Sequence, residues 1–403
     1  GIAGEVAHQN NFVVVRHSGR SSGLGLTGGQ LEGGASGVGD LGAEKFRALG
    51  QFLAQAFEGA AFDFELEVHV KAAFMAIVGD ADKAAPADLL LVGHLAAGVI
   101  AEEMGRTLTA SPWHSTVVMG ATAVADFGSA EQQDEWLPRI AAGEAIVGIA
   151  VDEGRGHSPE SVSTTADRSG DGFRLSGAKS FVADGHVADV LLVSARTAGE
   201  PNEVDGITLF LVSPGTAGVT VERQWMLDSR NSASIGFNDV HVAADAVVGE
   251  IDNGWNVLQS VLDAGRAGLA AEMSGSAQEC LARTVEYLKT RRQFDRPIGA
   301  FQGLQHRAAQ LFAEIEIGRS AVIRALRTLD SATEDAPMVV SLAKSKLGRV
   351  AQLAAQEAIQ MHGGIGMTDE FDIGFFLKRV RVAEALYGDA NYHTDRFARI
   401  RNY

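Results

Sequence analysis

Cysteine is all but missing: Cys280 is the only one in 403 residues. A lone thiol closes no intramolecular disulfide. That excludes a disulfide-stapled secreted scaffold and leads us to expect a reducing cytoplasm. Cys280 itself reads as a small buried apolar residue in a helix. Long hydrophobic runs are also missing, so no membrane-spanning helix is expected. Gly1 to Gln9 show no basic region ahead of an apolar stretch, and a secretory signal is expected to be absent or already removed. Positive charge is in deficit: 34 Lys and Arg against 51 Asp and Glu give a net charge of -17. Such a surface repels a phosphate backbone, so nucleic acid is not an expected partner. The 11 histidines are scattered, with no pair at zinc-site spacing, and no metal is expected. There is no G-x-S-x-G element, and no G-x-G-x-x-G at a strand-to-helix junction, which argues against a serine hydrolase and a Rossmann site.

What is present falls into three textures. Residues 1–145 read as mainly helical. Phe46, Leu49, Leu53, Ala56 and Phe57 recur at helical spacing, and Leu95 to Leu108 form a second amphipathic helix with a basic last turn. Residues 17–42 are glycine-rich and read as loop. Between 146 and 250 short β-prone runs alternate with Gly, Asp, Pro and Ser clusters. They are Ile146–Val151, Gly172–Ser176, Val190–Ala195, Gly206–Val212, Val219–Arg223 and Ser234–Val242, and they predict an all-β domain, a small barrel or sandwich. From 251 to 403 the helical period returns. One stripe runs through Val257, Val261 and Leu269, a second through Leu311, Phe312, Ile315 and Val322, and a third through Val339, Val350 and Met361; a fourth segment spans Phe371 to Leu386. Four helices with short connections predict an antiparallel bundle.

Three segments are candidates for chemistry. In TRRQFDRPIGAFQGLQHRAA, Arg291, Arg292, Arg296 and Arg307 crowd a helix end, a break at Pro297 and a new helix start. Arginine forks suit a pyrophosphate, although cations also simply complement a helix terminus. In QMHGGIGMTDE, Gly363 and Gly364 permit a helix-ending turn or the close approach of a flat ligand. In AVDEGRGHSPES, small and polar residues follow the first strand and would wrap a ring edge or form an ordinary turn.

Taken in order, TRRQFDRPIGAFQGLQH, QMHGGIGMTDEFDIGFFLKR, WLPRIAAGEAIVGIAVDE and LSGAKSFVADG resemble motifs of the acyl-CoA dehydrogenase family over about residues 95–403. The resemblance implies an α+β multidomain chain: a helical N-terminal domain, a middle β-barrel or sandwich domain and a C-terminal four-helix bundle, assembled as a homo- or hetero-oligomeric dimer of dimers. It implies FAD as cofactor, an acyl-CoA as substrate and an electron-transfer flavoprotein or similar acceptor as partner. Carried over residue by residue, Arg291, Gln293, Phe294 and Gln302 would meet the FAD of a neighbouring subunit. Gln360, Gly363 and Gly364 would line its pyrophosphate or adenosine side. Val151 and His157 would touch flavin or substrate. Phe181 stands where the family places an aromatic against the flavin ring, and Ala183 where a threonine usually bonds to it.

The resemblance also implies a departure. The family reaction needs a desolvated carboxylate to take an α-proton. Its two usual positions here are Gly265 and Gly388, and glycine transfers no proton. Either a neighbouring acid, Asp389 or less directly Asp263, takes the role, or this is the subunit of a heteromeric dehydrogenase whose paralogue carries the base. A non-catalytic assembly partner and a flavin monooxygenase on the same scaffold are the other readings.

Overall fold

The computed structural model describes residues 93–403. The expected helix around Phe46 to Phe57, the glycine-rich loop and residues 59–90 lie outside the described residues.

The described chain opens with helix α1 (His94–Thr107). Gly93 has no side chain to cap it; Asp330, from the far end of the bundle, accepts from the backbone N–H of His94 at 2.6 Å and of Leu95 at 3.0 Å, filling the role of an N-cap. A π-helical stretch, Trp113–Gly120, runs straight into α2 (Ala121–Phe127). α3 (Ala130–Ala141) starts with a capping box between Ser129 and Gln132.

The middle of the chain forms a mixed sheet of eight strands: β1 (Val147–Ala150), β2 (Thr165–Ser169), β3 (Gly172–Ala183), β4 (Val190–Arg196), β5 (Ile207–Val212), β6 (Val219–Trp225), β7 (Asn231–Ala243) and β8 (Val247–Val248). The main path runs β6-β7-β3-β1-β4-β5-β8. β1 pairs with β4 from Val147↔Val190 to Ala150↔Val193, and β2 meets β4 at Thr165↔Arg196. β1 and β2 therefore lie end to end between β3 and β4, and residues 151–164 are extruded from that line as a loop. The sequence pattern did not predict β2, because Thr165, Asp167 and Arg168 are polar and exposed, and only Ala166 turns inward. β4 is buried along its whole length. Val190 and Leu192 face the helical core, while Leu191 and Val193 face a second core with Phe173, Phe210 and Ile235, as period-two alternation requires of a strand with apolar layers on both sides.

The C-terminal part is the expected bundle: α4 (Gly254–Thr290), α5 (Gln302–Asp330), α6 (Ala336–His362) and α7 (Ile373–Ala385), with a further helix α8 (Ala390–Ile400). Phe312, expected on the apolar stripe of α5, is 57% exposed. α4 is the axis of the molecule, with every residue from Val261 to Ala277 buried. α1 crosses it at touching distance. A Cβ on Gly105 would stand 1.9 Å from the Glu272 carbonyl oxygen, and one on Gly275 would stand 1.8 Å from that of Glu102. Ser276 Oγ donates to the Gly105 carbonyl at 3.0 Å. Because that contact is backbone on backbone, neither side has a flexible atom that can yield. Gly275→Val is expected to destabilise the fold by at least the ~1–3 kcal/mol typical of overpacking, read as a lower urea midpoint, whereas Gly303→Ala, with open space at the Cβ position, should leave the midpoint within error.

Candidate active site

Both positions expected to carry a base are glycines against which a neighbouring side chain is packed. At Gly265, on α4, an added Cβ would meet Met119 Sδ at 2.4 Å. At Gly388, between α7 and α8, it would meet the Tyr392 ring at 2.3 Å and His393 Nε2 at 2.9 Å; there φ is +106°, a conformation that L side chains rarely adopt. Asp389 is exposed and its carboxylate accepts from the Tyr392 N–H at 2.7 Å: it caps α8. Asp263 is buried between two arginines, 2.8 Å from Arg266 Nη1 and 2.8 and 2.9 Å from Arg396.

The loop extruded between β1 and β2 folds onto α4. His157 Nδ1 lies 2.9 Å from both carboxylate oxygens of Asp152, and Nε2 lies 2.9 Å from Arg266 Nη2. A guanidinium only donates, so Nε2 is the acceptor, Nδ1 carries the proton, and the ring is neutral. Burial, the largest influence, lowers its pKa; Asp152 works the other way. Arg266, with no exposed surface, also donates to the Tyr387 carbonyl at 3.0 Å. Tyr392 meets the imidazole edge-on at 4.9 Å. Lys344, buried beneath, donates to the carbonyls of Glu384 and Gly388, and burial pushes its ammonium down to about 7.

A second cluster stands about one and two-thirds turns further along α4. Glu272, fully buried, is gripped by Arg379 of α7 at 2.7 and 2.6 Å, by Arg230 of the β6–β7 connection at 3.0 Å and by His114 of the π-helix at 2.7 Å. Arg379 also holds Asp228 at 2.8 Å. Burial works to raise the Glu272 carboxyl, but Arg379, His114 and Arg230 overcome it and hold it well below the usual carboxylate range. Beside this knot a narrow cleft with a cavity of about 50 Å³ is lined by Ser115, Phe181, Ala183, Asp184, Leu269 and Tyr387, among others. Asp184 was missed by sequence reasoning. It sits at φ +57°, accepts a hydrogen bond from Ser115 Oγ at 2.5 Å, and burial raises its carboxyl from the ordinary value, with Ser115, Arg230 and His114 opposing.

The other expected contacts gather at the opposite end of the bundle. After α4 a two-residue pairing, Arg292–Gln293 (β9) against Arg296–Pro297 (β10), turns through Phe294 (φ +52°) and Asp295 (φ +61°), leaving Phe294 85% exposed. Arg291 and Gln302 flank it on the surface. The turn after α6 is beside it: His362 stacks on Tyr287 of α4 at 4.5 Å and on Phe371 at 4.7 Å. Gln360, Gly363 and Gly364 are exposed, and nothing lies within 4 Å of a Cβ built on either glycine. Arg266 and the end of α4 are separated by roughly 36 Å at 1.5 Å per residue, so one chain presents two separate groups of expected contacts.

Family models match almost all of the described chain. They are described as acyl-CoA dehydrogenase N-terminal domain (residues 89–144), middle domain (149–240) and C-terminal domain (252–400). An acyl-CoA dehydrogenase of Bacillus subtilis is 30% identical over 283 residues, 68% of this chain and 73% of that protein. The chain belongs to the acyl-CoA dehydrogenase family. The bovine mitochondrial short/branched chain specific acyl-CoA dehydrogenase is 28% identical over 68% of this chain; the match spans 64% of the bovine protein, just under two thirds of its length. Among solved structures, the ChsE4-ChsE5 complex from Mycobacterium tuberculosis matches with a TM-score of 0.72 and 25% identity, covering 91% of this chain and 98% of that one. The exposed arginines, Gln293 and the open glycine turn have the chemistry for the phosphates and adenosine of FAD, and at the other end His114 Nδ1, Ser232 Oγ and Tyr387 OH line the cleft between sheet and bundle, buried and without a hydrogen-bond partner.

Removing one partner from a buried ion pair leaves an uncompensated charge. Arg379→Met is therefore expected to cost about 3–5 kcal/mol in chemical denaturation, and adding Glu272→Leu in the same chain should recover part of that loss. A second expectation concerns pH. Burial holds His157 and, more strongly, His393 below the ordinary imidazole value of 6.5, so above that value both forms of the protein carry neutral rings. As pH falls the unfolded chain binds the protons first, and stability is lost. His393→Asn should flatten the stability profile below pH 6.5 relative to the native chain.

Proposed function

We propose that this chain is the base-lacking subunit of a heteromeric FAD-dependent acyl-CoA dehydrogenase. The observation that carries the reading is the pair of glycines at both usual base positions, each with its side-chain space already filled, by Met119 at Gly265 and by Tyr392 and His393 at Gly388. Glu272 and Asp263 are locked in ion pairs with buried arginines. Asp389 is committed to capping a helix. The likeness to a complex of two different chains, ChsE4-ChsE5, favours a partnership over a lone enzyme.

FAD, when bound, supplies the hydride acceptor for α,β-dehydrogenation of an acyl-CoA, and an electron-transfer flavoprotein or similar acceptor takes the electrons. In this reading the chain's own residues bind and position. Arg291, Gln293 and Gln302 pair with phosphate oxygens or base edges of the partner's dinucleotide. Phe294 covers an apolar face of it. The turn at Gly363–Gly364 lets the dinucleotide approach the backbone. A Phe held at positive φ with 85% of its surface exposed is a costly arrangement for an unbound tip, which fits a hairpin shaped to meet a neighbour.

Asp184 supports a second reading, in which the chain acts alone with that carboxyl as base, since it lines the cleft and burial raises its pKa toward the working range. Turnover of an acyl-CoA with an artificial electron acceptor separates the two. The purified chain is expected to be inactive by itself and to support turnover when mixed with a related chain bearing Glu at either base position, and Asp389→Asn should leave that turnover within twofold. Turnover by the isolated chain that Asp184→Asn abolishes would replace the first reading with the second.

A further inference from the structure

The cleft between sheet and bundle presents polar atoms that the chain itself leaves unused. His114 Nδ1, Ser232 Oγ and Tyr387 OH line it without a hydrogen-bond partner, on residues only 8, 2 and 5% exposed. A buried polar atom left unpaired is expensive, and each one asks for a partner that the chain does not supply. The backbone around the cleft is costly as well. Phe181, Asp184 and Tyr387, all of which line it, stand at φ +53°, +57° and +56°. His114 and Ser115 come from the π-helical stretch. Strained residues and π-helical turns both gather at functional sites.

The unpaired atoms define the group that would satisfy them. The Glu272 carboxylate only accepts, so His114 Nε2 donates to it at 2.7 Å, and in the neutral ring Nδ1 is left as an acceptor. The Tyr387 phenol, kept from ionising by burial, is a donor, and Ser232 Oγ donates or accepts. An anion would leave Nδ1 unmatched and face the Asp184 carboxyl, while Arg230 and Arg379 are already spent on Glu272 and Asp228. A cation would lie beside those two arginines. A neutral hydroxyl, with one donor and two lone pairs, answers all three atoms in kind. It is also small enough for a cavity of about 50 Å³. Leu269, Val382 and Leu386 supply apolar wall, and Phe181 at the rim is 42% exposed.

We infer that this cleft is a binding site for a neutral hydroxyl group at the tip of a slender apolar ligand, recognised by His114, Ser232 and Tyr387. That an acyl-CoA carries the hydroxyl rests on the proposed function; the preference for a hydroxyl does not.

The purified native chain is titrated in a calorimeter with 2-, 3- and 4-hydroxybutyryl-CoA and with butyryl-CoA. At least one hydroxylated thioester is expected to bind about tenfold more tightly than butyryl-CoA, the worth of one or two hydrogen bonds. Ser232→Ala and Tyr387→Phe should each cut that preference about threefold or more. Their urea midpoints should be no lower than the native one, because each removes a hydroxyl that bonds to nothing in the fold. Equal affinity for butyryl-CoA and the whole hydroxylated series would overturn the inference, as would variants that lose stability but keep the preference. Free 1-butanol, followed by saturation transfer from the protein, separates the site from the carrier. If no thioester binds, but 1-butanol does and the double variant loses it, the inference stands and the acyl-CoA reading falls. If neither binds, or the double variant still holds 1-butanol, the cleft takes only water and the inference falls.

Discussion

Asp263, Arg266 and Glu272 lie on a stretch of α4 that meets no solvent, and the rest of the structure is arranged around satisfying them. Stranding a charge in an apolar interior costs several kcal/mol unless it is paired and hydrogen-bonded. The partners come from the rest of the bundle, the β domain and the π-helix: Arg379 from α7, Arg396 from α8, Arg230 and His157 from the β domain, His114 from the π-helix. The ion pairs thereby tie three layers to one helix.

The same arrangement divides the molecule into two chemically different ends. Around Arg266 and Glu272 the charged groups pair within the chain, while His114 Nδ1 and Tyr387 OH beside them are buried without a partner. Around Arg291–Phe294 and Gly363–Gly364 the polar groups face outward. The fold of the acyl-CoA dehydrogenases here carries a cleft between sheet and bundle and an exposed hairpin at the far end of α4. Lys344 serves the end at Arg266 by holding the carbonyls of Glu384 and Gly388, which keeps the loop at Gly388 in the positive-φ path that brings Tyr392 over it.

Periodicity and composition determined a good deal without coordinates. The apolar stripes of α4 to α7 and the short β-prone runs between 146 and 250 set the layer order, because burying apolar surface is what makes such segments fold. The four motifs in order were enough to place the family. β2 escaped because its residues are polar and exposed, and α8 because its apolar content is low. At the site, the sequence showed that Gly265 and Gly388 carry no carboxylate, since residue identity alone decides that. Only tertiary structure decided what took the space. Met119 lies 146 residues before Gly265, and Tyr392 and His393, close to Gly388 in sequence, reach it because the chain turns there at φ +106°. Whether Asp263 and Glu272 are free bases or spent ion-pair partners depends on arginines more than a hundred residues away in sequence, because electrostatic pairing follows distance in space and burial, which the linear order of residues does not contain.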